Sequence, residues 1–188
     1  GPGSTFTISW VNPSDSDFQE CKLTYSSAST IPVTVATIPK TQNSFTITGA
    51  YGEKHTLTLQ TKDASGNLSA GITKKIHFGN FDPLYPNLAN FDPEIVAIIA
   101  GKLIIDNFSV ATSLSLDKLS NLEQIEGKLE IINNSSTTLT NLNAFQKLKK
   151  VAGNITITGN TSLSDFCGLK NLFSNGGVAP GTYTVSGN

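Results

Sequence analysis

The strongest constraint on the fold is a repeat that begins at glycines in the second half of the chain. Strand-like segments start at Gly101, Gly127, Gly153 and Gly181, with spacings of 26, 26 and 28 residues. A period of about 20 to 29 residues with a short apolar strand in each unit is typical of a leucine-rich solenoid. One coil cannot bury its apolar face alone, whereas stacked coils share a continuous core. The repeat therefore predicts parallel strands stacked from residue 101 to residue 188.

Each repeated strand alternates apolar with mostly polar positions, which predicts one buried face and one exposed face. The predicted inward side chains are Leu103, Ile105, Leu129, Ile131, Ile155, Ile157, Tyr183 and Val185. The outward positions, poor in charge and rich in threonine and serine, form a sheet that solenoids of this type use for recognition. The candidate partner-binding residues on it are Ile104, Glu130, Ile132, Thr156, Thr158, Thr184 and Ser186. A sheet face that is merely solvated is the alternative interpretation.

Between the strands, apolar residues recur at every third position. They are Leu116, Leu119, Leu122 and Ile125, then Leu142, Phe145, Leu148 and Val151, then Leu163, Phe166, Leu169 and Leu172. This spacing predicts tight 3₁₀-like arcs whose side chains all point to one axis. The glycine before each strand suits a corner with close backbone approach, and the asparagine after it can satisfy backbone groups and adopt the left-handed region.

A longer pattern combines these features: Leu-x-x-Leu-x-x-Leu-x-x-Ile/Val-x-Gly-x-Leu-x-Ile-x-x-Asn, seen from Leu116 to Asn134 and from Leu142 to Asn160. It resembles the receptor L domain family, the leucine-rich β-helices of growth-factor receptor ectodomains, and is similar to leucine-rich surface proteins of gut Bacteroidetes. The resemblance implies a right-handed solenoid. The animal receptors carry cysteine-rich neighbours, whereas this half has Cys167 alone, so a bacterial surface protein is favoured over a receptor.

The first half, residues 5–79, shows short alternating apolar runs separated by turn residues, which predicts about six antiparallel strands in an immunoglobulin-like sandwich. The runs centre on Phe6 to Trp10, Cys21 to Tyr25, Val33 to Ile38, Phe45 to Ile47, Leu57 to Leu59, and Ile72 to Phe78. Residues 1–4, Gly-Pro-Gly-Ser, match a cleavage scar left by recombinant expression and are excluded from the fold prediction.

The segments Ile8-Ser-Trp10, Cys21-x-Leu23-x-Tyr25 and Thr46 to Gly49 leading into His55 resemble a bacterial fibronectin type III domain. The resemblance implies that the Trp10 ring lies in the core. It also places His55 where the family has its tyrosine corner, with a hydrogen bond to nearby backbone as the expected interaction. The first strand of the family has no room here, so it is either lost or trimmed.

Residues 80–100 are predicted to form a linker and a capping helix. Asp92, Pro93 and Gly101 occupy the favoured N-cap, N1 and C′ positions of a helix around an apolar run. Its apolar residues, Ile95, Val96, Ile98 and Ile99, would cover the open end of the solenoid.

Composition excludes several function classes. The charged fraction is 14% and the net charge is −1, so no basic excess exists for nucleic-acid binding, and no apolar run approaches the length of a transmembrane helix. The two cysteines, Cys21 and Cys167, are predicted to be buried free thiols. No catalytic, cofactor-binding or metal-binding set is predicted. The carboxylates of Asp15, Asp17 and Glu20 lack the spacing of a calcium loop and are interpreted as solvated turn residues.

Two non-catalytic modules in tandem predict an extracytoplasmic protein, secreted or on the outer surface and lipid-anchored through a removed N-terminus. The first hypothesis is a binding or adhesion module that recognises a protein or glycan through the solenoid sheet. The alternative is a structural module of a larger envelope assembly, pairing through its C-terminal edge strand into an oligomer.

Overall fold

The structure is a computed structural model that describes residues 4–27, 34–80, 96–106, 116–134, 139–178 and 183–188. The chain is mainly β, as predicted, and divides into two compact units, residues 1–78 and residues 79–188. We call them the first unit and the second unit.

The first unit consists of antiparallel strands in two sheets. They are β1 (Ser4–Ser9), β2 (Phe18–Ser27), β3 (Thr34–Pro39), β4 (Ser44–Gly49), β5 (Lys54–Asp63) and β6 (Ile72–Phe78). β1 pairs with β4, and the other strands pair in the order β6-β5-β2-β3. All six apolar runs therefore form the strands that the period-two alternation predicts.

The two sheets of the first unit meet in an apolar core. Phe6 and Ile47 are buried on the β1–β4 sheet, and Leu23, Ile76 and Phe78 on the other. The approach is close at Gly49 of β4, where an added Cβ would lie 2.5 Å from the Phe78 ring. This packing explains why a glycine ends that strand.

Two predictions for the first unit need correction. Trp10 is half-buried, not a core residue, because β1 ends at Ser9 and the indole Nε1 donates instead to Asn12 Oδ1 at 2.7 Å. His55 is buried, but its ring bonds the Glu53 carboxylate (Nε2 to Oε2, 3.1 Å), not backbone.

The second unit is a stack of coils with strands on two sides. The first parallel sheet contains β8 (Leu103–Asp106), β10 (Leu129–Ile132), β12 (Ile155–Thr158) and β13 (Tyr183–Ser186), in the order β13-β12-β10-β8. A second set of short parallel strands contains β7 (Val96–Ala100), β9 (Gln124–Ile125) and β11 (Lys150–Val151).

The register of the first sheet follows the sequence period. Leu129 lies opposite Leu103 and Ile155, and Ile155 lies opposite Tyr183. The column of inward side chains predicted from the repeat is therefore present. Its members in β8, β10 and β12 are at most 1% exposed, so each coil shields the apolar side of the next.

The arcs between the strands are confirmed as single-turn 3₁₀ helices. They span Leu116–Leu119, Asn143–Phe145 and Cys167–Leu169, the last continuing into a short helix α1 at Lys170–Ser174. Most of the apolar residues at every third position are buried in the shared core, with Leu116 and Phe166 partly buried. The three-residue spacing thus points these side chains to one axis, as predicted.

The predicted capping helix is wrong where the structure describes it. Residues 96–100 form strand β7, and residues 92–95 lie outside the described residues. Ile99 pairs with Ile125 of the following coil and is fully buried. The run is rich in β-branched residues, which favour a strand, and pairing with the next coil outweighs the helix start and stop signals.

Candidate recognition surface

The outward face of the β8-β10-β12-β13 sheet carries the candidate binding residues in straight rows. One row contains Ile104, Glu130, Thr156 and Thr184, and the next contains Asp106, Ile132, Thr158 and Ser186. The residues of β8, β10 and β12 are half-buried and those of β13 are exposed. The structure therefore brings all seven predicted residues together on one surface, which we call the outer face.

Sequence reasoning missed Asp106, which ends the Ile132 row, and Lys128, which precedes β10. The Lys128 ammonium lies 2.6 Å from the Glu130 carboxylate, and Asn133 Nδ2 donates to Asp106 Oδ1 at 3.3 Å. These charges are thus engaged with neighbours on the sheet. The signal that could have found Asp106 is its alignment, 26 residues before Ile132.

A ladder of asparagines behind the strand ends fixes the spacing of the outer face. Asn134 Nδ2 donates to Asn160 Oδ1 at 2.8 Å and to the Ile105 carbonyl at 3.1 Å. Asn160 repeats the arrangement toward Asn188 Oδ1 (2.7 Å) and the Ile131 carbonyl (3.0 Å). Asn134 and Asn160 are fully buried, so these amides satisfy strand-end groups that water cannot reach.

The residue before each ladder asparagine adopts a left-handed conformation. Asn133 has φ 54°, and the aligned Gly159 and Gly187 have φ 69° and 62°. Asparagine and glycine are the residues that tolerate this region best. The sequence-based expectation for asparagines after the strands is therefore met at two adjacent positions, one for backbone geometry and one for hydrogen bonding.

The size of the outer face limits what it can bind by itself. Neighbouring strands lie about 4.8 Å apart and residues rise about 3.3 Å along a strand, so the rows cover roughly 200 Å². A standard protein interface buries about 800 Å² on each partner. The outer face alone therefore matches a short ligand, or the centre of a larger contact.

Thiol chemistry differs between the two cysteines. Both are free, but Cys21 is buried whereas Cys167 is exposed, which corrects the prediction that both are buried. Cys167 begins a 3₁₀ turn, and Leu169 points into the core in its place. Burial raises the pKa of the Cys21 thiol. The pKa of Cys167 is raised mainly by a hydrogen bond to Asp165 and by the charge of that carboxylate.

We expect Asp165→Asn to accelerate modification of Cys167 by a neutral disulfide reagent several-fold near pH 8. The thiolate is the reacting form, and removing the carboxylate lets the thiol pKa fall, while the amide oxygen can still accept the Cys167 N–H (2.8 Å in the native turn). The rates should converge well above the pKa of both forms. Stopped-flow absorbance measures them, with Cys21 remaining unreactive until unfolding. Equal rates at pH 8 would contradict the role given to Asp165.

The other residues weighed for chemistry lie apart or are engaged. Glu20 pairs with Lys62 at 2.8 Å. Within the described ranges, no group of three or more His, Cys, Asp or Glu side chains has the geometry to hold a metal ion. Among the same residues, no helix has the length and apolar character needed to cross a membrane.

Comparison with known proteins adds a family relation for the second unit. Residues 97–172 match the family model described as Receptor L domain. The match begins at Ala97 inside β7, so it includes the strand that sequence reasoning assigned to a capping helix. No curated protein matches the chain. The match supports a ligand-binding module as the class of this unit.

Proposed function

We propose that the protein is a non-catalytic recognition module, displayed outside the cytoplasm, that binds a short glycan or an exposed protein segment on the outer face. The observation that carries the proposal is the register of that face. Hydroxyl, amide and aliphatic groups repeat there at the strand spacing, on a rigid parallel sheet. A repeating, weakly charged ligand such as a polysaccharide or an extended peptide backbone has matching donors and acceptors at similar intervals.

The rigidity of the outer face supports recognition by a preorganised surface. Its strands are tied behind by the buried asparagines, so few groups need to become ordered on binding. Preorganisation reduces the entropic cost of association. Hydroxyl groups of Thr156 and Thr158 each offer one donor and two acceptors, which suits sugar hydroxyls and peptide groups alike.

In this proposal the first unit is a spacer of the fibronectin type III kind. Its strand pairing, with β1 on β4 and the order β6-β5-β2-β3, supports that interpretation. Extracytoplasmic placement and the absence of catalysis belong to the same proposal. Protease treatment of intact cells that produce the full-length protein tests the placement: surface display predicts cleavage without lysis, and protection until lysis argues against it.

We expect Thr156→Arg to weaken ligand binding at least tenfold, because a long charged side chain in the middle row would block the outer face. Glycan arrays and a panel of surface proteins would identify the ligand, and isothermal titration calorimetry would measure its affinity. The matched control is Thr161→Arg, on an exposed turn outside the rows, which should bind normally.

Two results would contradict the proposed function. One is equal binding by Thr156→Arg and Thr161→Arg, which would move recognition away from the outer face. The other is hydrolysis of the bound ligand that disappears when one carboxylate is replaced, which would make the protein an enzyme.

A further inference from the structure

The edge strand β13 exposes side chains that belong to the buried column. Tyr183 and Val185 lie in register with Ile155 and Ile157, yet they are 63% and 50% exposed, compared with 1% for the two isoleucines. The strand pairs with β12 on one side and forms the edge of its sheet on the other. An uncharged edge strand with exposed apolar side chains is a template for further pairing.

Phe173 of helix α1 extends the same exposed surface. Its ring lies edge-on to the Tyr183 ring, with centroids 5.9 Å apart, and it is 46% exposed. The strand side and the arc side of the last coil therefore present one continuous apolar surface, which is the surface that each earlier coil covers with the next.

The asparagine ladder leaves defined donors at this edge. Asn134 and Asn160 each donate their backbone N–H to the side-chain oxygen of the asparagine in the following coil, at 3.2 Å in both cases. Asn188 holds the next position in the ladder: its Oδ1 accepts from Asn160, and its Nδ2 donates to the Ile157 carbonyl at 2.9 Å. The backbone N–H of Asn188 has no acceptor among the described residues.

The preceding residue adds a second donor at the same edge. Asn133 and Gly159 donate their N–H groups to the carbonyls of Thr158 and Ser186 in the following coil, at 2.9 and 3.1 Å. Gly187 is the aligned residue of the last coil, and the part of the chain that the structure describes provides no acceptor for its N–H. Buried donors of this kind favour a partner that supplies oxygen.

We propose that the β13 edge is a second interaction surface, which binds a parallel β-strand of a partner protein. The chemistry of the partner strand follows from the ladder. It carries apolar side chains at two alternate positions to cover Tyr183 and Val185, and a side-chain amide three residues after the second, where Asn160 follows Ile157. Main-chain hydrogen bonds would supply affinity and the apolar and amide positions specificity, as in other strand additions.

The ladder also distinguishes this partner from a second copy of the chain. A two-fold symmetric dimer through β13 would pair the strands antiparallel, since both copies use the same surface. The Asn188 side chain of one copy would then lie at the opposite end of the other strand, away from the Gly187 and Asn188 donors. A parallel strand satisfies both donors.

The test is to extend the full chain after Asn188 with a second copy of residues 135–160, which contain a complete arc, a strand and a ladder asparagine. The tether provides a high effective concentration of the probe strand. We expect hydrogen exchange at the Gly187 and Asn188 amides to slow at least tenfold, and the second unit to unfold several degrees higher. The matched control carries Ile157→Asp and Asn160→Leu in the appended copy and should show neither change.

Three outcomes would overturn the proposal. Unchanged exchange at Gly187 and Asn188 in the extended chain is one, and equal protection by the control extension is another. The third is a concentration-dependent dimer of the unextended protein, detected by light scattering and abolished by Val185→Pro, which would assign the edge to a second copy. Ligand binding by the outer face is measured separately with Thr156→Arg, so failure of either proposal leaves the other standing.

Discussion

Replacing Asn160 with alanine is expected to lower the free energy of unfolding of the second unit by about 3 to 5 kcal/mol. The side chain is fully buried and serves three neighbours: Asn134, Asn188 and the Ile131 carbonyl. Alanine would leave buried groups without partners, at about 1 to 3 kcal/mol each. The size of the effect arises because the ladder is continuous, so one truncation breaks the contacts of two coils.

The control for Asn160→Ala is Asn133→Gly, which lies on an exposed position of the same turn. Asn133 has φ 54°, and the aligned residues in later coils are glycines, so this change should alter stability by less than about 1 kcal/mol. Urea unfolding followed by far-ultraviolet circular dichroism measures both. Tryptophan fluorescence would report the first unit instead, because Trp10 is the only tryptophan. Equal losses for the two variants would refute a special role for the ladder.

The second large effect is expected for Gly127→Ala, at about 3 kcal/mol of destabilisation. An added Cβ would lie 2.7 Å from the carbonyl carbon of Gly101 and from the backbone nitrogen of Lys102. These are backbone atoms held by the stack itself, since Gly127 donates to the Gly101 carbonyl at 2.8 Å and accepts from Gly153 at 3.0 Å. The coils would have to separate, and overpacking of this kind costs about 1 to 3 kcal/mol or more.

Gly176→Ala is the matched comparison for Gly127→Ala. Gly176 has φ +62° and no heavy atom within 4 Å of an added Cβ. Its substitution should cost only the left-handed conformation, about 1 to 2 kcal/mol. Thermal unfolding of both variants in parallel gives the comparison. A Gly127→Ala protein as stable as Gly176→Ala would show that the glycine column is not packed as described.

The stack of coils was predictable because its signal repeats at a fixed distance. Leu129 and Ile155 each stand two residues after a repeated glycine, and a constant period fixes the register that the structure shows. The same rule would have found β7, because Ile99 precedes Gly101 as Ile125 precedes Gly127. Local capping signals concealed it, since they describe a helix that would form only without a neighbouring coil to pair with.

Other features depend on contacts that a single sequence does not reveal. The asparagines could be assigned to turns, but the hydrogen bond from Asn134 to Asn160 requires the coils to be in place. Tyr183 has the same pattern position as Ile155 and is exposed only because it lies in the edge strand. The outward orientation of Cys167 is likewise decided by the geometry of its turn. Repetition therefore predicts the scaffold, whereas edges and turns decide which groups meet a ligand.

The in-register stack can be tested most directly by nuclear Overhauser contacts between backbone amides 26 residues apart. The account predicts contacts linking the Ile131 region to Ile105 on one side and to Ile157 on the other, in the pattern of parallel strands. Strong contacts typical of antiparallel hairpins, or an absence of any contact between Ile131 and Ile157 in the folded protein, would contradict the stack and remove the surface on which binding is proposed.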